Sequence, residues 1–93
     1  MIRTFADKNS ERLYQSQRVR SFPSEIHERA RTKMLRLNRV KTLDDLRVTP
    51  SDRLERLRGD REGQYSLRIN DQWRLCFRWS DGDAYDVEIV DYH

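Results

Sequence analysis

The fold is decided by one stretch in which apolar and polar side chains alternate: Gln64-Tyr65-Ser66-Leu67-Arg68-Ile69-Asn70-Asp71-Gln72-Trp73-Arg74-Leu75-Cys76-Phe77-Arg78-Trp79. Such alternation predicts strands that have one apolar and one polar face. The turn formers at 70–72 separate two such runs and predict a hairpin. Asp81-Gly82 predicts a second, two-residue hairpin turn before a third strand at 84–90. Together these segments form an antiparallel meander.

Helices are expected before this meander. Asn9 or Ser10 is predicted to cap a first helix that carries Leu13 and Tyr14 on its inner face. A second helix is predicted to begin near Pro23. Its buried stripe, at helical spacing, consists of Ile26, Ala30, Met34 and Leu37. The order predicts an α+β domain whose N-terminal helices pack on one face of a mostly antiparallel, twisted sheet.

Three shorter segments complete the prediction. Residues 2–5 favour a short first strand, and residues 43–46 a short helix that Pro50 ends. Everything after Pro50 reads as sheet, so residues 53–58 are predicted to add a strand, although Leu54 and Leu57 are out of phase with alternation.

Composition limits the class of protein. A chain of 93 residues, 35% hydrophobic and 38% charged, predicts one domain (1–93) around a single small core. No apolar run is long enough to cross a bilayer and no secretory signal is visible, so a cytoplasmic protein without membrane contact is expected. The single cysteine, Cys76, excludes an internal disulfide or cysteine metal cluster and reads as a small sheet residue.

Positive charge is concentrated in residues 18–41. The basic residues there are Arg18, Arg20, Arg29, Arg31, Lys33, Arg36, Arg39 and Lys41, opposed by Glu25 and Glu28. A basic face favours a polyanion or an acidic protein partner, although a solvated helix face is the commoner reason for such a run. His27, within this segment, is expected on the helix surface.

The polar phase of the central strands carries arginines. If the apolar phase faces the helices, Arg68, Arg74 and Arg78 project together from the other face and form a cationic surface. Arginine suits phosphate because its planar guanidinium donates to two oxygens at once. Arg58 and Glu55 are expected to border this surface.

The segment Val90-Asp91-Tyr92-His93 brings a carboxylate, a phenol and an imidazole to the rim of the sheet. From the residues alone, a strand end with exposed polar groups is the commoner interpretation. Strand phase places Asp91 with Tyr85, Val87 and Ile89, so either the chain bends near Val90 or Asp91 and Tyr92 face opposite ways.

These motifs occur together in a known family. The segments Leu54-Glu55-Arg56-Leu57-Arg58-Gly59-Asp60-Arg61, Gln64 to Arg74 and Asp91-Tyr92-His93 resemble the HigB toxins of the RelE/ParE superfamily. The resemblance implies the toxin of a type II toxin–antitoxin pair that cleaves messenger RNA in the ribosomal A site, without metal or other cofactor. It also implies silencing by a helix-turn-helix, HigA-like antitoxin, through which alone the pair would bind operator DNA.

The resemblance also implies residue roles. The catalytic set is Glu55, Arg74, Asp91, Tyr92 and His93, and Arg58 and Arg68 are expected to bind RNA. Arg58 stands where characterised relatives have a lysine, and Glu55 where one branch has a catalytic histidine. Glu55 or Asp91 is expected to be the base, and His93 the acid.

In the expected reaction the base deprotonates a 2′-hydroxyl, whose oxygen attacks the adjacent phosphate. Two other functions stay open at this point. One is a non-catalytic superfamily member that inhibits a protein target such as gyrase. The other is a nucleic-acid-binding domain that forms no product.

Overall fold

The computed structural model describes residues 1–92, and its helices precede its strands. The helices are α1 (Lys8–Tyr14), α2 (Ser24–Arg39) and α3 (Asp44–Arg47). The strands are β1 (Glu55–Arg56), β2 (Gln64–Arg68), β3 (Trp73–Ser80) and β4 (Asp83–Asp91). They form one antiparallel sheet in the order β1-β2-β3-β4. The predicted α+β class is confirmed.

Both predicted hairpins are present. Between β2 and β3, the Asn70 side-chain oxygen accepts hydrogen bonds from the backbone N–H groups of Gln72 and Trp73, each at 2.8 Å. Between β3 and β4, Asp81 and Gly82 have φ angles of 49° and 82°. Positive φ at both central residues gives the turn a twist that matches its flanking strands.

The core lies between the helices and one face of the sheet. Its buried residues include the predicted α2 stripe, Ile26, Ala30, Met34 and Leu37, and apolar residues of the meander, Leu67, Ile69, Trp73, Leu75, Phe77, Val87 and Ile89. Tyr65 and Trp79 pack at its margin as partly buried side chains. The aromatic residues of the central strands are therefore core residues.

The first helix begins earlier than predicted. Asp7, not Asn9 or Ser10, is its cap, and its carboxylate accepts a hydrogen bond from the backbone N–H of Ser10 at 2.8 Å. Ser10 is buried instead, and its hydroxyl oxygen accepts a hydrogen bond from the backbone N–H of Ile89 at 2.9 Å. This bond ties α1 to β4.

The segment predicted as a first strand, 2–5, makes only two isolated parallel bridges to β4, from Ile2 to Ala84 and from Phe5 to Val87. The reason is a bulge in β4 at Asp86, whose φ is 52° and which interrupts the pairing with β3. The Thr4 hydroxyl oxygen fills the gap by accepting a hydrogen bond from the Asp86 backbone N–H at 2.8 Å.

Because of the bulge, the predicted alternation of β4 is wrong before Asp86. Ala84, Val87 and Ile89 are buried, so Tyr85 does not share a face with Val87 and Ile89.

The predicted strand at 53–58 is reduced to β1. Residues 50–52 and 59–61 form short 3-10 turns, so not everything after Pro50 is sheet. Arg53 has φ 43°, a left-handed conformation that regular strand pairing does not accommodate. The preceding Asp52 is completely buried and forms ion pairs with Lys33 and Arg36 of α2, which hold this segment against the helix.

Candidate functional site

The second face of the sheet, the one turned away from the helices, is more covered by its own side chains than the sequence predicts. Arg61 crosses it, and its guanidinium donates to the side chains of Glu88 at 3.0 Å and Gln64 at 3.1 Å. Beneath them, burial raises the pKa of the Cys76 thiol to about 11. Cys76 is thus a buried, protonated sheet residue at neutral pH.

The arginines of this face do not form the expected cationic surface, because each has a carboxylate partner. The ion pairs are Arg61–Glu88 at 3.0 Å, Arg78–Asp86 at 3.5 Å, Arg74–Glu55 at 3.6 Å and Arg68–Asp71. The positive charge of this face is therefore partly neutralised, and the face has no continuous cationic surface among the described residues.

Arg74 is the centre of the site. It is only 8% exposed, which is rare for arginine. Its Nε donates to the Ser66 hydroxyl oxygen at 2.7 Å, and its Nη2 donates to the Arg53 carbonyl oxygen at 2.7 Å. Nη1 lies 3.6 Å from a Glu55 carboxylate oxygen, too far for a hydrogen bond, so no acceptor among residues 1–92 occupies the Nη1 donors.

Glu55 and Tyr92 complete what we call the Arg74 cluster, defined as Arg74, Ser66, Glu55 and Tyr92. Strand β1 pairs Glu55 with Ser66, so the carboxylate lies on the second face, where its side chain is 54% exposed. Val90 is the partner of Arg74 in β4, and Tyr92 follows on the same phase. The Arg74 Cζ atom lies 5.7 Å from the Tyr92 ring centroid.

The cluster has the parts that phosphodiester chemistry needs. A fixed guanidinium stabilises charge that develops on phosphate oxygens. An exposed carboxylate beside it can accept a proton, and an exposed aromatic ring can stack on a base. Among residues 1–92, no group of three or more His, Cys, Asp or Glu side chains is arranged to hold a metal ion.

Asp91 is not part of the cluster. Its partner in β3 is Trp73, a core residue, so Asp91 lies on the edge of the helix-covered face. There its carboxylate accepts a hydrogen bond from Gln72 Nε2 at 3.2 Å. Asp91 and Tyr92 therefore face opposite ways, one of the two outcomes that strand phase allowed. His93, predicted as a catalytic residue, lies outside the described residues.

The two predicted RNA-binding arginines border the cluster differently. Arg68 is the cross-strand partner of Arg74 and shares its face, but its guanidinium bonds to Asp71 in the hairpin. Arg58 follows β1, is exposed and lines a shallow hollow of about 340 Å³ together with Arg56 and Glu62. Neither is in contact with Arg74 through a hydrogen bond.

Several basic side chains of segment 18–41 are bound to other groups of the domain. Lys33 and Arg36 bind Asp52, and Arg31 Nε donates to the Leu13 carbonyl oxygen at 3.0 Å. His27 is half-buried, not a surface residue as expected: its Nε2 accepts from the Val19 N–H at 3.1 Å and its Nδ1 lies 2.9 Å from the Pro23 carbonyl oxygen. These groups anchor the fold.

Sequence reasoning missed Ser66 and the Arg53 carbonyl, the two groups that hold Arg74. A serine in the polar phase of a strand looks like any solvated residue, and a backbone carbonyl leaves no signal in sequence. The buried state of Arg74 was missed for the same reason. No helix in the described part of the chain is long and apolar enough to cross a membrane.

Comparison with known proteins gives a consistent match. Over residues 3–93 the chain matches a family described as the RelE-like toxin HigB of type II toxin–antitoxin systems. A protein named Toxin HigB-1, from Vibrio cholerae serotype O1, is 39% identical over 90 residues, which are 96% of this chain and 95% of that protein. Endoribonuclease HigB from Proteus vulgaris is 28% identical over 93 residues, covering 100% of both.

Solved structures share the fold at low identity. A chain of the YoeB-YefM complex from Staphylococcus aureus has a TM-score of 0.62 and 16% identity, covering 100% of this chain and 98% of that one. The YoeB/ParE toxin from Agrobacterium tumefaciens has a TM-score of 0.51 and 18% identity, covering 98% of each chain.

Proposed function

The chain belongs to the HigB-like toxin family of type II toxin–antitoxin systems, and from this premise we propose that it is an endoribonuclease that cleaves messenger RNA in the ribosomal A site and so inhibits translation. The observation that carries the proposal is the Arg74 cluster. It places a buried guanidinium beside an exposed carboxylate and an exposed aromatic ring.

In the proposed reaction the RNA supplies its own nucleophile. A base takes the proton of a 2′-hydroxyl, and that oxygen attacks the adjacent phosphorus. The bond to the 5′-oxygen breaks, leaving a cyclic phosphate and a 5′-hydroxyl. Proton transfer contributes about two to four orders of magnitude in rate, and a fixed donor on the phosphate contributes about 3 kcal/mol or more. We propose that no metal or other cofactor takes part.

Glu55 is the better candidate for the base, because it lies 3.6 Å from the Arg74 guanidinium on the same face. Asp91 lies on the other face, so we assign it to the sheet edge near Gln72 in preference to proton transfer. Arg74 is proposed to hold the scissile phosphate through its Nη1 donors, which no acceptor among the described residues occupies.

Tyr92 is proposed to stack on the nucleotide, and Arg58 and Arg68 to contact the RNA backbone on either side. His93 is proposed as the acid that protonates the leaving oxygen.

The test is primer extension on a defined message in programmed ribosomes, with EDTA present. Wild type should cleave the message, and Glu55→Gln should cleave it about a hundredfold more slowly. Arg47→Ala is the control, because Arg47 is exposed and, within residues 1–92, its ion pair is with Asp44, three positions earlier; its rate should equal that of wild type. An intact message with wild type would overturn the proposal, and a gyrase supercoiling assay would then test the non-catalytic alternative.

As a toxin of a type II system, the chain has an antitoxin partner. We propose that this partner is a HigA-like, helix-turn-helix protein that binds operator DNA on behalf of the pair. A ribosomal target also places the proposed activity in the cytoplasm. Purified partner should abolish cleavage at equimolar concentration, while the toxin alone should leave operator DNA unshifted in a gel.

A further inference from the structure

Ser66 occupies an unusual position for a serine. It lies in the middle of β2, is completely buried, and is paired with Glu55 of β1 on one side and Cys76 of β3 on the other. A buried hydroxyl is costly unless it is hydrogen-bonded, and here its oxygen accepts the Arg74 Nε–H at 2.7 Å. Strand packing alone would be served by alanine or valine at this position.

Two anchors determine the orientation of the Arg74 guanidinium. Ser66 holds Nε, and the Arg53 carbonyl holds Nη2. Because the group is planar, bonds at two of its three nitrogens fix both its position and its rotation. The remaining donors are then directed to the side where Glu55 and Tyr92 lie.

Both anchors are neutral. A hydroxyl and a backbone carbonyl satisfy the donors of a buried arginine without cancelling its charge, whereas a buried carboxylate in either place would neutralise it. Among residues 1–92, the carboxylate that pairs with Arg74 is that of Glu55, which is exposed and stands 3.6 Å away. The charge of Arg74 is therefore not cancelled at its buried side, and it stays accessible to an anion that approaches from the solvent side.

We infer that Ser66 is a positioning residue of the ribonuclease: it orients the Arg74 guanidinium toward the scissile phosphate. The inference rests on the proposed function. It predicts that loss of the Ser66 hydroxyl slows the chemical step without weakening the binding of the toxin to the ribosome, because Ser66 is buried and touches no substrate.

The experiment measures single-turnover cleavage of A-site message as a function of toxin concentration. Ser66→Ala should lower the maximal rate about ten- to a hundredfold and leave the half-saturating concentration unchanged. Ser66→Thr keeps the hydroxyl and should restore most of the rate. Ser10→Ala is the matched control, because Ser10 is also completely buried and also accepts a hydrogen bond, from Ile89 N–H; its maximal rate should equal that of wild type.

A second measurement does not depend on the variants folding. In the NMR spectrum of the wild-type chain, the Arg74 Nε–H should exchange with solvent at least about tenfold more slowly than that of exposed arginines, as expected of a buried bond. Rapid exchange would overturn the inference, as would equal rates for Ser66→Ala and Ser10→Ala. If wild type itself cleaves no message, the proposed function fails, and the inference fails with it.

Discussion

Replacement of Asp52 by asparagine is expected to destabilise the fold by about 2–4 kcal/mol. The side chain is completely buried, and its two oxygens bind Lys33 and Arg36. Asparagine keeps the volume, but it removes the negative charge and turns an amide N–H₂ toward a cation. Removing one partner from a buried ion pair costs about 3–5 kcal/mol. The lower range applies here because Lys33 and Arg36 are 16% and 27% exposed, so water partly compensates them.

Equilibrium urea unfolding, followed by far-UV circular dichroism at neutral pH, measures this difference. Asp44→Asn is the control, because it removes a carboxylate from an exposed ion pair with Arg47 and should cost less than about 1 kcal/mol. For a domain of this size, the Asp52 change should lower the melting temperature by about 10–25 °C.

Equal stabilities for the Asp52 and Asp44 variants would refute the reasoning, since the Asp52 carboxylate would then not be held between two cations. A confirmed loss would bear on the site as well. Asp52 precedes Arg53, whose carbonyl oxygen accepts a hydrogen bond from Arg74.

Three further predictions concern the sheet and its second face. Burial raises the pKa of Cys76 to about 11, above the ordinary value of 9.0, so between these pH values the folded state keeps a proton that the unfolded state has lost. The free energy of unfolding should therefore fall as pH rises from about 9 to about 11, by at most about 1.4 kcal/mol per pH unit from this group. In urea titrations, Cys76→Ala should abolish this contribution to the slope. Gly63→Ala should lower the free energy of unfolding by about 1–2 kcal/mol, and by more than Gly59→Ala, because φ is 91° at Gly63 and 70° at Gly59. Similar melting temperatures for the two variants would contradict this. Tyr92→Phe should cleave RNA as wild type does, since the ring over Arg74 is kept, whereas Tyr92→Ala should raise the half-saturating toxin concentration at least about fivefold; a strong defect in the phenylalanine variant would assign the role to the hydroxyl instead.

Periodic segments were predictable because their side-chain patterns are set by the same burial that builds the core. The stripe of α2 and the alternation of β3 each repeat over several turns or pairs, so tertiary context reinforces the local signal. Strand β1 has only two residues, and the left-handed Arg53 just before it is fixed by Arg74 and by the neighbouring Asp52. Such a segment follows from tertiary contacts, which no local pattern encodes.

The candidate site shows the same division. Alternation correctly placed Arg74 on the face away from the helices, and the resemblance supplied Glu55 and Tyr92. The sequence assigned Tyr85 to the wrong face of β4, because a single bulge residue, Asp86, shifts the alternation of every position before it by one. The burial of Arg74 and the pairing of the arginines with carboxylates could not be predicted from sequence, because both depend on contacts between segments that are distant along the chain.

The bridges that residues 2–5 make to β4 have a consequence for the order of folding. Ile2 pairs with Ala84 and Phe5 with Val87, contacts between segments that are far apart along the chain. The hairpins of the meander close locally, whereas this edge of the sheet is covered only when residues 2–5 reach it across the whole domain. We expect the meander to form first and residues 2–5 to dock last. Pulse-labelling hydrogen exchange during refolding would test this order of events.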